Sequence, residues 1–174
     1  MIKKLSFKLN QKSPEDLQKF TEMIQELKGV KICQICGNIS EQLTCSICAD
    51  QKRDRKTVCV IAEIPDLIAI EKTREYKGLY HILGGVINQF RQIGPEQLRI
   101  KNLLKRIENN QIREIILALN PNLEGETTSL YLIEKIKPYK IKISRLARGL
   151  PMGSDLSYAD EITLMNALKR REEI

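Results

Sequence analysis

Ile115-Ile-Leu-Ala-Leu-Asn-Pro-Asn-Leu-Glu-Gly-Glu126 is an apolar run of strand length that halts at Asn-Pro and resumes as an acidic, glycine-containing loop. Proline cannot continue a strand's hydrogen-bond ladder, and the following Thr127–Ile136 carries Leu130, Ile133 and Ile136 at helical spacing. The strand itself is read as Glu114–Leu119. Working outward, the same alternation repeats. Upstream, Val58–Ala62 is a β-branched strand followed by a helical stretch near Asp66–Thr73. Tyr80–Leu83 is a second strand ending at Gly84-Gly85, and Pro95-Glu96 opens a helix carrying Leu98, Leu103, Leu104 and Ile107. Downstream, Lys140–Leu146 is a fourth strand. Strands alternating with helices predict a mainly parallel α/β sheet. Ligand chemistry in such sheets sits at the carboxyl ends of the strands, here Glu63, Gly84-Gly85 and the loop Asn120–Glu126.

The flanks differ in character. Ser13-Pro14-Glu15-Asp16 reads as a helix start, with Ser13 as cap, Pro14 in the first turn and Asp16 at capping-box spacing. Leu17, Phe20, Ile24 and Leu27 then share one face, read as an ordinary core face, and Gly29 ends the helix. Residues 31–55 hold four cysteines, few large apolar residues and a charged exit, Asp50 to Lys56. At the other end the Gly/Pro-rich turn GLPMGSD precedes a helix from Asp160 to about Arg171.

Composition bounds the function. The chain has 174 residues, 42% apolar and 29% charged, enough to bury a core. Its longest apolar runs fall far short of the roughly 20 residues that a membrane span needs. MIKKLSFKLNQK has no apolar stretch of signal-peptide type, so a cytoplasmic protein with no membrane partner is expected. Residues 1–56 hold 11 Lys/Arg against 7 Asp/Glu (+4), residues 57–148 hold 15 against 10 (+5), and residues 149–174 hold 3 against 5 (−2). Lys3, Lys4 and Lys8 stand in a stretch without acids, which is either a solvated terminus or a phosphate-contacting arm. Aromatics are 5% and Trp is absent, too few for a base-stacking platform.

Cys33-Gln-Ile-Cys36 and Cys45-Ser-Ile-Cys48 are two CxxC knuckles separated by eight residues. Each offers two thiolates, and together they complete a sulfur tetrahedron for one structural Zn²⁺ with no position left open for water. A disulfide framework needs an oxidising compartment, and a redox pair would be a single CxxC after a strand. Cys59, inside the first strand, is read as a small buried hydrophobe, and His81, the sole histidine, as a satisfied core or edge residue.

A strand ending in a carboxylate loop is how a Mg²⁺ site is built beside a phosphate, and the Asn120–Glu126 segment resembles the acidic motif of Toprim domains. Catalytic Toprim enzymes carry Asp where this chain has Asn120 and Asn122, and the amides cannot neutralise a divalent ion. The position matching the catalytic glutamate is Ala62; Glu63 follows one residue later, and the pleat turns it to the other face unless the strand ends there. Glu124 and Glu126 match cleanly. The Cys33–Cys48 module, DQKRD (Asp50–Asp54), VCVI with Pro65-Asp66, YHILGG (Tyr80–Gly85), IGPEQLRI (Ile93–Ile100), NPNLEGE (Asn120–Glu126) and SRLARGLPMGSDLSYADEITL (Ser144–Leu164) then resemble, in order, the RecR family of recombination mediators. Ser154 stands where that family usually has Gly. Lys4-Leu5-Ser6-Phe7 resembles only the last helix of the family's N-terminal helix-hairpin-helix, with Lys4 at the position of a DNA-contacting Arg.

The resemblance implies an α/β fold in four parts: a short N-terminal helical segment (1–30), a four-cysteine zinc finger (31–55), a Toprim domain (56–148) and a C-terminal segment with a helix (149–174). It implies a non-enzymatic, DNA-binding scaffold that works with RecO, and in some settings RecF, to load RecA onto SSB-coated single-stranded DNA. It also implies ring-shaped tetramers or dimers that swap terminal elements, weakened here by the shortened N-terminus. Glu63, Asp66, Glu124 and Glu126 are then expected to dock a basic partner, the simpler reading being stabilisation of the following helix's N-terminus. The competing readings are a Mg²⁺-dependent Toprim nuclease or primase-like enzyme and a zinc-ribbon RNA-binding module. Lys101, Lys105 and Arg106 are a second candidate DNA site.

Overall fold

The computed structural model describes residues 13–26, 29–109 and 111–171. Helix α1 (Pro14–Glu26) leads to an antiparallel pair, β1 (Lys31–Ile32) and β2 (Ile39–Ser40), and a single-turn helix α2 (Ser46–Ala49). Then come β3 (Asp54–Ile61), α3 (Ile64–Thr73), β4 (Gly78–Ile82), α4 (Ile100–Asn109), β5 (Glu114–Leu117), α5 (Leu123–Ile136), β6 (Lys142–Arg145) and α6 (Glu161–Lys169). The four long-range strands form one sheet in the order β4-β3-β5-β6, parallel throughout. The expected parallel α/β architecture is thus observed.

Register explains the core. Val58 sits between Leu79 and Ile115, and Val60 between His81 and Leu117. Because side chains alternate across the pleat, Val58, Val60, Leu79, Ile115 and Leu117 face Leu103 and Ile107 of α4 and Leu132 and Ile136 of α5. Cys59, Ile61, Tyr80 and Ile82 face the other way, onto Leu67 of α3. Cys59 is a buried hydrophobe, as expected. Ile47, in α2, packs against both of these clusters and against the cysteines.

Several boundaries move for identifiable reasons. β3 runs back to Asp54, because Asp54 already pairs with Gly78 across a register shift, so part of the charged exit belongs to the sheet. Pro95–Gln97 forms a separate 3₁₀ turn rather than the start of α4, since Leu98 is extended and buried. Ser13 caps α1 as expected, accepting from Asp16 N at 3.1 Å. Among the described residues the stripe on α1 is not covered as a core face: Phe20 is 49% and Ile24 47% exposed, and Leu27 lies outside the described residues. Periodicity identifies an apolar side but says nothing of what covers it.

His81 is fully buried, with Nε2 2.9 Å from the Arg99 carbonyl oxygen. Burial pulls its pKa down to about 4. Below the unfolded value of about 6.5 the unfolded chain takes up a proton that the folded chain refuses. Stability contributed by the neutral ring is therefore present above about pH 6.5 and lost as pH falls towards 4, amounting to roughly 3 kcal/mol. His81→Gln is expected to flatten the fall in melting temperature between these pH values, measured against wild type by circular dichroism.

Candidate functional site

The metal site is built from two tight backbone turns. In the first knuckle Gly37 N donates to Cys33 O at 2.9 Å, and Gly37 adopts φ +85°, where a side chain is strained. A Cβ there would also meet Arg99 and the Ile82 carbonyl. In the second knuckle, which opens α2, Ala49 N donates to Cys45 O at 3.0 Å. The four sulfurs of Cys33, Cys36, Cys45 and Cys48 are buried and lie within 4.8 Å of one another. Zn–S bonds of about 2.3 Å place tetrahedral sulfurs about 3.8 Å apart, and Cys36 Sγ and Cys45 Sγ stand at 3.5 Å, so the cluster fits the ion. The electrostatics agree. Burial pushes the Cys33 thiol up, but the amides of Cys45, Cys36 and Ile35 aimed at its sulfur outweigh this and hold it at about 6. The neighbouring Cys48 side chain, and then burial, raise Cys36; burial raises Cys45. Sulfurs crowded this closely resist joint ionisation, and a divalent cation removes that resistance.

The finger covers an open sheet edge. β4 is the outermost strand on its side, and each of its outward-facing residues Gly78, Tyr80 and Ile82 has a backbone group engaged. Gly78 O accepts from Arg53 Nη1 at 3.1 Å, Tyr80 O from Arg106 Nη1 at 2.6 Å, and Ile82 N donates to Cys36 O at 2.7 Å. Arg53 is held in turn by Glu71, which also accepts from the Tyr80 hydroxyl at 2.6 Å. The DQKRD segment thus contributes Arg53 to this cover.

The carboxyl ends of the strands form the second site. β3 ends at Ile61, so Glu63 lies beyond the pleat as the N-cap of α3, exposed, with its N–H donating to Asp66 Oδ2 at 2.9 Å. The Ala62 carbonyl accepts from Gly84 N and Gly85 N, both at 3.0 Å, and these glycines adopt φ +85° and +144°. Asn122 caps α5, accepting from Gly125 N at 2.9 Å. Glu124 accepts from Asn88 Nδ2 at 3.3 Å. Glu126 is clamped between Arg145, at 3.2 Å, and Arg148. A cleft of about 270 Å³ opens there, with Asp66, Asn120, Arg145 and Arg148 at its polar rim and Ile70 and Leu117 among its apolar lining.

These geometries redistribute the expected roles. Among the described residues, the four cysteines converge on an ion-sized point, whereas Glu63, Asp66, Glu124 and Glu126 do not. Asp66 and Glu126 belong to helix capping and an ion-pair clamp, and Glu63 and Glu124 are the acids left to face outward or towards a loop. Arg106 cannot serve as a DNA contact, because it is buried against β4, while Lys101 and Lys105 of the same helix are exposed. Lys3, Lys4 and Lys8 lie outside the described residues. Sequence reasoning did not identify Arg145 and Arg148 as partners of Glu126; their only signal was two basic residues three apart just after an acidic loop's strand neighbour.

Comparison with known proteins agrees with this arrangement. A Toprim domain family model matches residues 56–147, a RecR four-cysteine zinc finger model residues 30–50, and a RecR C-terminal model residues 149–172. The recombination protein RecR of Bifidobacterium longum subsp. infantis is 52% identical, over 92% of this chain and 82% of its own. That of Bifidobacterium animalis subsp. lactis is 48% identical over 98% and 86% respectively, and that of Gloeothece citriformis 51% over 87% and 76%. The zinc-finger match and the four-sulfur cluster together fit one structural zinc per chain. No helix among the described residues is long and apolar enough to cross a membrane.

Proposed function

We propose, from the premise that this chain belongs to the RecR family of recombination proteins, that it is a non-enzymatic mediator of DNA repair that works with RecO, and in some settings RecF, to load RecA onto SSB-coated single-stranded DNA. A role in DNA recombination goes with that membership. The observation that carries the mediator reading is the occupied acidic centre. Asn120 and Asn122 bring no charge, and Glu126 is already neutralised by two guanidinium groups. A divalent ion and a transferring phosphate would have to displace both arginines before any phosphoryl chemistry began. The same loops remain available as a docking face, with Glu63 and Glu124 meeting a basic partner. We read the chain as the four parts 1–30, 31–55, 56–148 and 149–174, acting in the cytoplasm at the nucleoid.

The exposed apolar faces of the two terminal helices support an oligomer. Phe20 and Ile24 on α1 and Ile162 and Leu168 on α6 are all exposed within one chain, and exchange of these helices between subunits would bury them. Light scattering is expected to give a dimer or a tetramer ring.

The test is RecA filament formation on SSB-coated single strands with RecO, with and without this chain. Acceleration only when both are present supports the reading. Metal-dependent cleavage or synthesis in Mg²⁺ or Mn²⁺, lost on Glu124→Ala, would replace it with a Toprim enzyme. For the DNA contact, Lys3→Glu with Lys4→Glu is expected to weaken binding equally across sequences. The slope of log affinity against log salt should become shallower by roughly 0.7 per lost phosphate contact on single strands. Unchanged affinity at low salt moves the contact to Lys101 and Lys105.

A further inference from the structure

A zinc ion held by four thiolates would be a doubly negative centre, and the four cysteines that would hold it are buried, with the first knuckle bonded to the edge of β4. Taking such a charge out of water is costly unless an opposite charge accompanies it. Arg106 is 8% exposed, and its Nη1 donates to Tyr80 O at 2.6 Å. Two residues along the same outward edge of β4, Ile82 N donates to Cys36 O at 2.7 Å. Like-facing positions on a strand are about 7 Å apart, so the strand itself seats the guanidinium beside the first knuckle. Burial lowers the pKa of Arg106, and negative charge on Cys48, Cys36 and Cys33 opposes that shift.

Two more arginines approach from other directions. Arg99 Nη2 donates to Gln34 O, inside the first knuckle, at 3.4 Å. Its buried Nε has no hydrogen-bond partner and lies 2.8 Å from where a Cβ on Gly37 would sit. Arg55 Nη2 donates to Cys48 O at 3.4 Å. We infer that Arg106, flanked by Arg99 and Arg55, is the counter-charge that seats the zinc–thiolate centre on the sheet edge, so that zinc affinity is set partly from α4 and β3. This rests on the zinc reading. The arginines are positioning residues: Arg99 and Arg55 hold the finger's backbone, Arg106 holds the β4 edge on which the finger sits, and their role is charge and placement.

The test is zinc affinity of the full chain, measured by competition with a chromophoric chelator. Arg106→Gln is expected to weaken binding by about 10–100-fold, the usual consequence of removing a group that supports metal ligands. Arg106→Lys, which keeps the charge, should retain most of the affinity, and Arg99→Gln and Arg55→Gln should lose less than Arg106→Gln but in the same direction. Wild-type affinity in Arg106→Gln overturns the inference. So does an equal loss in the Gln and Lys variants, which assigns Arg106 to shape and hydrogen bonding alone. If Arg106→Gln does not fold, wild-type affinity in both Arg99→Gln and Arg55→Gln overturns it. A wild-type chain that binds no zinc defeats the zinc reading itself, and is seen before any variant is made.

Discussion

Cys45→Ser protein is expected to lose its zinc, to loosen residues 31–55 and, because finger and sheet share a packed core, to lower the stability of the whole chain. Cys45 is the first residue of the second knuckle, and its Sγ lies 3.5 Å from Cys36 Sγ of the first, so losing the thiol disturbs both halves of the cluster. Structural zinc in small fingers contributes on the order of 10–16 kcal/mol at neutral pH, and a finger of two-residue strands and one helical turn has little else to hold it. The damage extends further because the finger is also a cover. Without it Ile82 N loses Cys36 O, and the edge of β4 becomes a template for pairing with another chain. Elemental analysis should therefore find less than one metal per chain, hydrogen exchange should accelerate across residues 31–55, and light scattering should show aggregation on warming. Retention of one zinc per chain with unchanged exchange would contradict the account.

Gly125→Ala is expected to be the most damaging single methyl in the acidic loop. An added Cβ would run into the backbone carbonyl of Asn120, a main-chain atom that cannot swing aside as a flexible side-chain tip could. The glycine here serves close approach rather than unusual torsion, since it sits buried in the first turn of α5. Overpacking of this kind costs about 1–3 kcal/mol, and relief would require α5 to pull back, taking Glu126 from Arg145 and Arg148. The urea midpoint should fall with an unchanged slope. Partner binding should fall with it if the loop docks RecO, and a wild-type midpoint would show that the loop tolerates the shift.

Much of this was legible in the sequence because it depended on local order. The alternation of strands and helices, the capping by Ser13, the helix start at Asp160 and the pairing of two CxxC knuckles each need only a few adjacent residues. What escaped depended on register. The clamp on Glu126 arises because β5 and β6 align Leu117 with Arg145, bringing together residues 19 and 22 positions apart. Arg106 read as a surface cation, as arginine usually is; only the position of α4 against the β4 edge reveals that it is buried. The stripe on α1 failed for the opposite reason, since its periodicity is real but its cover is not in the described part of one chain.

Ile47 carries a wider consequence. Lying between two zinc ligands and packed against both faces' apolar clusters as well as the cysteines, it makes the finger and the sheet parts of one cooperative unit. Calorimetry should then record a single transition whose midpoint climbs with free zinc concentration by mass action, so that metal supply would tune the lifetime of the whole chain rather than the fate of one module.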